Sequence, residues 1–172
     1  MNLANKLTLL RIAFIPVFLI ILALKIQYGI YIAAGVFVIA ALTDKLDGYI
    51  ARSRNQITTL GKFMDPLADK LLVTAALISL IELNRIPTWV VIIIIAREFS
   101  VTGLRAIAAA DGIIIAASNW GKLKTTIQII AITACLIDFP YYIVLVWAAA
   151  AITIISGIDY FYKNRKVFKN QK

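Results

Sequence analysis

The sequence predicts an all-α protein, a bundle of six transmembrane helices preceded by a short N-terminal interfacial helix. Hydrophobic residues fill 62% of the 172 positions and the mean hydropathy is +0.88. Soluble domains are roughly 45–50% apolar, and a chain this short cannot hide such an excess from water. Six apolar runs also follow one another, most close to the ~20 residues a helix needs to cross a bilayer.

The first run covers 7–24. Ahead of it Leu3, Leu7, Leu10 and Phe14 recur at three- and four-residue intervals, with Asn2, Asn5 and Lys6 off that stripe. A short helix lying in the headgroup layer has this pattern, and so does an ordinary start to the first span. No small-residue cleavage site follows 12–24, so the run reads as a retained span rather than a signal peptide. Further runs lie at 30–52, 60–83, 87–108, 122–136 and 141–162. Turn signals separate them: Tyr28-Gly29, Arg85-Ile86-Pro87, Asp111-Gly112 and Asp138-Phe139-Pro140. With no repeat or low-complexity linker, a single domain over 1–172 is expected.

Lys and Arg number 18 against 9 Asp and Glu, a net charge of +9. With the N-terminus in the cytoplasm, every cation except Lys25 and Arg85 lies on or toward that side. A multi-pass protein of the cell membrane with both termini cytoplasmic is therefore expected. The basic residues come as short clusters between apolar runs, which suits anionic headgroups and phosphates and argues against nucleic acid. There is no histidine, so His-ligated zinc and a Ser-His-Asp triad are excluded; the one cysteine, Cys135, excludes a disulfide within the chain.

Four of the nine acids crowd one stretch. Asp44 and Asp47 are three residues apart near the cytoplasmic end of the second run; Asp65 and Asp69 are four apart near the cytoplasmic start of the third. Each pair shares a helix face, and a short connection makes the two helices antiparallel neighbours whose carboxylates can converge. Four such charges repel unless cations neutralise them. Donors that are all oxygen suit Mg2+, Mn2+ or Ca2+, and two bridged ions are a known clamp for a diphosphate. Gly48, Ala51 and Gly61 leave room beside the carboxylates, and Arg52 is placed to neutralise a phosphate. Buried salt bridges to Lys45, Arg52, Lys62 and Lys70 would need no such small residues. Ion transport by a small cation transporter is the main rival on spacing alone.

The stretch reads D-x-x-D-G-x-x-A-R, eight residues, then G-x-x-x-D-x-x-x-D. It is similar at every defining position to the signature of the CDP-alcohol phosphatidyltransferases, and the likeness in length and span number extends over the whole chain. The resemblance implies two bound ions, Mg2+ or Mn2+, on Asp44, Asp47, Asp65 and Asp69. It makes Asp69 also the base that deprotonates the acceptor alcohol. Gly48 and Arg52, with Gly61 beside them, would contact the CDP-lipid. Thr58 and the N-terminal Asn5-Lys6-Leu7-Thr8 fall where family members contact the nucleotide. The family also implies a homodimer, and the alanines at 148–151 would permit close helix packing.

The acceptor rests on two further segments, A-R-E-F-S-V-T-G-L-R at 96–105 and G-K-L-K-T at 121–125. With the Asn5, Thr8 and Arg11 opening, they resemble the bacterial branch of the family that forms phosphatidylglycerophosphate. Arg97, Arg105, Lys122 and Lys124 would supply the cationic pocket that an acceptor with its own phosphate, glycerol 3-phosphate, requires. The expected reaction joins CDP-diacylglycerol to glycerol 3-phosphate. Members of cardiolipin synthase or phosphatidylinositol-synthase type share the signature and remain alternatives. The positive-inside rule accounts for Arg105 and Lys122 equally well, and Arg97 with Glu98 reads either as pocket or as structural brace.

Overall fold

A computed structural model describes the backbone of residues 3–53, 59–110, 112–113, 115–116 and 118–165, and the side chains of these except at 3–6, 44–53, 59–63 and 65. It contains α1 (Leu3–Ala23), α2 (Gly29–Ser53), α3 (Thr59–Glu82), α4 (Thr88–Ala110), α5 (Asn119–Leu136) and α6 (Tyr142–Lys163), with no strand among the described residues. The all-helical class and the six helices agree with the sequence reading. The separate interfacial helix does not: α1 runs unbroken from Leu3. No glycine or proline precedes Pro16, so nothing in the first turns stops the helix. The fifth helix also starts earlier than the apolar pattern, because Ser118 Oγ accepts the Gly121 amide at 3.0 Å and caps a polar first turn.

Three helices end in the same manner. After α3 the Arg85 amide reaches the Leu80 carbonyl and the Asn84 amide reaches Ile81, both at 2.9 Å, with Asn84 at φ 55. After α5 the Phe139 and Asp138 amides bond Ala134 and Cys135, with Asp138 at φ 55. After α4 the Ile113 and Gly112 amides bond Ala108 and Ala109, with Gly112 at φ 72. Each places a left-handed residue just past the helix, where Gly, Asn and Asp carry the least strain, and so satisfies two terminal carbonyls.

The chain divides into two compact units, Met1–Arg85 with Ile132–Pro140, and Ile86–Ala131 with Tyr141–Lys172. In the first, α1, α2 and α3 pack on one another. The small buried face of α2 (Ala33, Ala34, Ala40, Ala41) allows close approach, and Phe18 and Phe37 meet at 6.2 Å between ring centroids. Arg85 donates to the Cys135 and Leu136 carbonyls and pairs with Asp138 at 3.3 Å, so a cation covers the negative end of α5. In the second unit α4 packs on α6. The buried positions Val90, Ile94, Val101 and Leu104 of α4 and Val146, Ala149, Ala150 and Thr153 of α6 form its interior. Ala149 and Ala150, expected at a dimer contact, are thus already used within the chain.

Exposure runs opposite to that of a water-soluble helix bundle. On α1 the buried positions include Thr8 and Arg11, while Leu9, Leu10, Val17, Leu19 and Ile20 are exposed. On α6 Thr153 and Ser156 are buried, while Val144, Trp147, Ile154, Ile155 and Ile158 face outward. Among the described residues α6 alone meets the length and hydropathy of a membrane span as a whole helix; Leu7–Ala23 and Gly29–Thr43 are shorter apolar stretches.

Gly112→Ala should lower stability by about 1 kcal/mol through its left-handed φ alone, since no atom would crowd the new Cβ. Gly35→Ala, in open space on α2, should instead raise it by roughly 0.5–1 kcal/mol. Paired thermal unfolding curves of the two variants in detergent measure both.

Candidate active site

The signature acids lie on α2 and α3 as expected, Asp44 and Asp47 three residues apart and Asp65 and Asp69 four apart on continuous helices that pack together. The side chains of Asp44, Asp47, Asp65, Gly48, Arg52 and Gly61 lie outside the described residues, as do that of Asn5 and the whole of Thr58. Asp69 is described and half-buried. Among the described residues no three acids or thiols come together. Pro66, next to Asp65, lies inside α3 without ending it, and Pro16 likewise lies inside α1. Neither helix is broken in the manner of a transporter's discontinuous spans. Thr8 is buried, one turn from the buried Arg11.

Two basic residues of the second unit, Arg97 and Lys124, share one acid. Glu98 Oε1 accepts from Arg97 Nη1 at 3.3 Å and from the ammonium of Lys124, which joins α4 to α5. The exposures of these three side chains are 12% for Arg97, 16% for Glu98 and 4% for Lys124, so the group is largely shielded from solvent. The second guanidinium nitrogen of Arg97 donates to Ser156 Oγ at 2.5 Å. Gly157 makes this possible: a Cβ there would sit 3.2 Å from Arg97 Cγ. At the start of α5 a Cβ on Gly121 would come 3.9 Å from the same guanidinium. Arg97 is therefore seated against bare backbone at Gly157 on α6, with Gly121 of α5 beside it.

Further along α4, Arg105 Nε donates to the buried Tyr160 hydroxyl at 2.8 Å, and the guanidinium lies 5.5 Å from the centre of that ring. Lys122 is exposed. The four cations expected for an acceptor's phosphate thus divide. Arg97 and Lys124 are tied to Glu98, Arg105 is held by Tyr160, and Lys122 is exposed. Among the described residues, with Asp159 paired to Lys163, Arg97 and Arg105 against Glu98 leave positive charge in excess even with Lys124 set aside, and a phosphate dianion is a suitable counter-ion.

Residues 1–155 match the model of the CDP-alcohol phosphatidyltransferase family. The chain belongs to that family. It is 45% identical to a Bacillus subtilis protein named CDP-diacylglycerol–glycerol-3-phosphate 3-phosphatidyltransferase, over 98% of this chain and 97% of that one. Proteins of the same name from Haemophilus influenzae and Rickettsia bellii are 40% and 37% identical, covering 92% and 97% of this chain and 91% and 97% of theirs. The family match takes in residues of both compact units.

Sequence reasoning does not single out Ser156, Gly157 or Tyr160. Their contacts to α4 span 55 to 60 positions, beyond the reach of any local pattern. A usable signal did exist, because a Ser-Gly pair with a tyrosine one turn later is unusual within an otherwise apolar span.

Glu98→Ala would strand two shielded cations and should cost about 3 kcal/mol, in the range seen when one member of a buried ion pair is removed. Adding Lys124→Met should return part of that loss, and the double-mutant cycle read by thermal unfolding measures it.

Proposed function

We propose that this protein transfers the phosphatidyl group of CDP-diacylglycerol to glycerol 3-phosphate, forming phosphatidylglycerophosphate and releasing CMP. The observation that carries the reading is the near full-length identity of 37–45% to several bacterial proteins that bear this activity in their names. The cation excess about Arg97 and Arg105 supports an acceptor that brings its own phosphate. A neutral acceptor such as inositol would have no use for it.

In this reading Asp44, Asp47, Asp65 and Asp69 hold two Mg2+ or Mn2+ ions, to which an all-oxygen donor set without histidine is suited. When bound, the ions neutralise the diphosphate and stabilise charge developing at phosphorus. Asp69 takes the proton from the C1 hydroxyl of glycerol 3-phosphate. The resulting alkoxide attacks the lipid-side phosphorus in line with the departing CMP, and no covalent enzyme intermediate is needed. Arg97, Arg105, Lys122 and Lys124 bind and orient the acceptor's phosphate, with Glu98 and Ser156 holding Arg97 and Lys124 in place. Asn5, Thr8, Gly48, Arg52, Thr58 and Gly61 receive the CDP-lipid.

The reading sets the protein in the cell membrane as six spans, with both termini and the active site on the cytoplasmic side, and as a homodimer. Outward leucine, isoleucine and valine against inward threonine, serine and arginine support lipid as the surrounding solvent. The lipid substrate is then delivered within the layer where the enzyme sits.

Asp69→Asn should abolish CMP release while leaving the protein folded; turnover near that of the wild type would remove Asp69 from the role of base. Chelation should stop the reaction and Mg2+ or Mn2+ restore it. In an acceptor panel, CMP should be released with glycerol 3-phosphate and not with serine or inositol. Release only with inositol, or only with phosphatidylglycerol, would replace this acceptor by that of another branch of the family.

A further inference from the structure

The middle of α5 holds a polar side chain that the mechanism above does not use. Gln128 lies one turn past Lys124 on the same helix face, and the two are 2% and 3% exposed. Its Nε2 is buried and has no hydrogen-bond partner among the described residues. In the same unit Arg97 Nε is likewise buried without a partner. A buried amide left unpaired destabilises a fold, and more so inside an apolar bundle where no water can substitute. An apolar side chain of similar length would fill the position without that cost. Two unmet donors beside a cation cluster indicate a polar ligand that meets them.

We infer that Gln128 is a specificity-determining residue that donates from Nε2 to the C2 hydroxyl of the acceptor. This inference rests on the acceptor assignment made above. Glycerol 3-phosphate presents three polar groups. Its dianionic phosphate matches Arg97, Arg105 and Lys124, and its C1 hydroxyl must face the base. The C2 hydroxyl is uncharged and can accept a hydrogen bond from a neutral amide. Gln128, about 6 Å along the helix axis from Lys124, is the neutral donor in that position. A site built around such a bond rejects an analogue that lacks the hydroxyl, because the donor is then left unpaired again.

The test uses the purified full-length protein with CDP-diacylglycerol and Mg2+, reading CMP release with two acceptors. One is glycerol 3-phosphate; the other is 3-hydroxypropyl phosphate, which keeps the phosphate and the reactive hydroxyl and lacks only the C2 hydroxyl. Gln128→Met should lower kcat/KM for glycerol 3-phosphate about tenfold and leave that for the deoxy analogue unchanged. The KM for CDP-diacylglycerol should not move, and the melting temperature should hold or rise as an unpaired donor is removed. Gln128→Leu, read in parallel, guards against a packing fault peculiar to one side chain. Equal losses on both acceptors in both variants, or a fall in melting temperature that accompanies them, would make Gln128 a structural residue and overturn the inference. A wild-type protein inert toward glycerol 3-phosphate would overturn the acceptor assignment and this inference with it. Wild-type activity with no difference between the acceptors would overturn the inference alone.

Discussion

Glu98 is the contact on which the second unit depends. Arg97 and Lys124 come from two helices, and neither is well placed in a low-dielectric interior without a counter-charge. One carboxylate serves both, so α4 and α5 are joined through a charge rather than through side-chain packing alone. Ser156 and the bare backbone at Gly157 extend the same hold to α6. The result is a set of cations that are fixed before any substrate arrives, the condition under which electrostatic binding loses least to reorganisation. Such fixation also explains why small residues appear in helices whose remaining positions are large and apolar.

The inverted distribution of polarity follows from the same constraint. In the membrane setting proposed above, a charged or hydroxylated side chain on the outer surface of these helices would face hydrocarbon; Thr8, Arg11, Thr153 and Ser156 turn inward and many branched aliphatics turn out. The amphipathic stripe at the start of α1 illustrates how this misleads a reader of sequence. Leu10 belongs to the apolar stripe, yet it is exposed, and the buried partners one turn apart are Thr8 and Arg11. On α1 and α6 buried polar residues at helical spacing join the apolar ones that line the core.

Much of the architecture was nonetheless legible. Apolar runs and turn residues located all six helices to within a few positions, because Gly112 and Asp138 are residue types that tolerate the left-handed geometry past a helix end. The family was legible too, since the eight-position signature is contiguous in the chain and its spacing is that of two helix faces. The fine structure of the cation cluster was not. The bracing of Arg97 rests on Ser156 and Gly157, in contacts that no local window contains. The capping of α5 by Ser118 was missed for a different reason: the first turn of that helix is polar, so hydrophobic periodicity begins after the helix does.

The bond from Arg85 to the Cys135 carbonyl joins positions 50 residues apart. The first compact unit is therefore discontinuous in the chain, and its last piece is synthesised only after the whole stretch between has been made. During biogenesis α1, α2 and α3 can gather early, but the guanidinium at the end of α3 must wait for the final turn of α5 to emerge. Completion of the first unit thus waits until Cys135 has been made, and a ribosome-bound chain truncated before it holds three helices without their clasp.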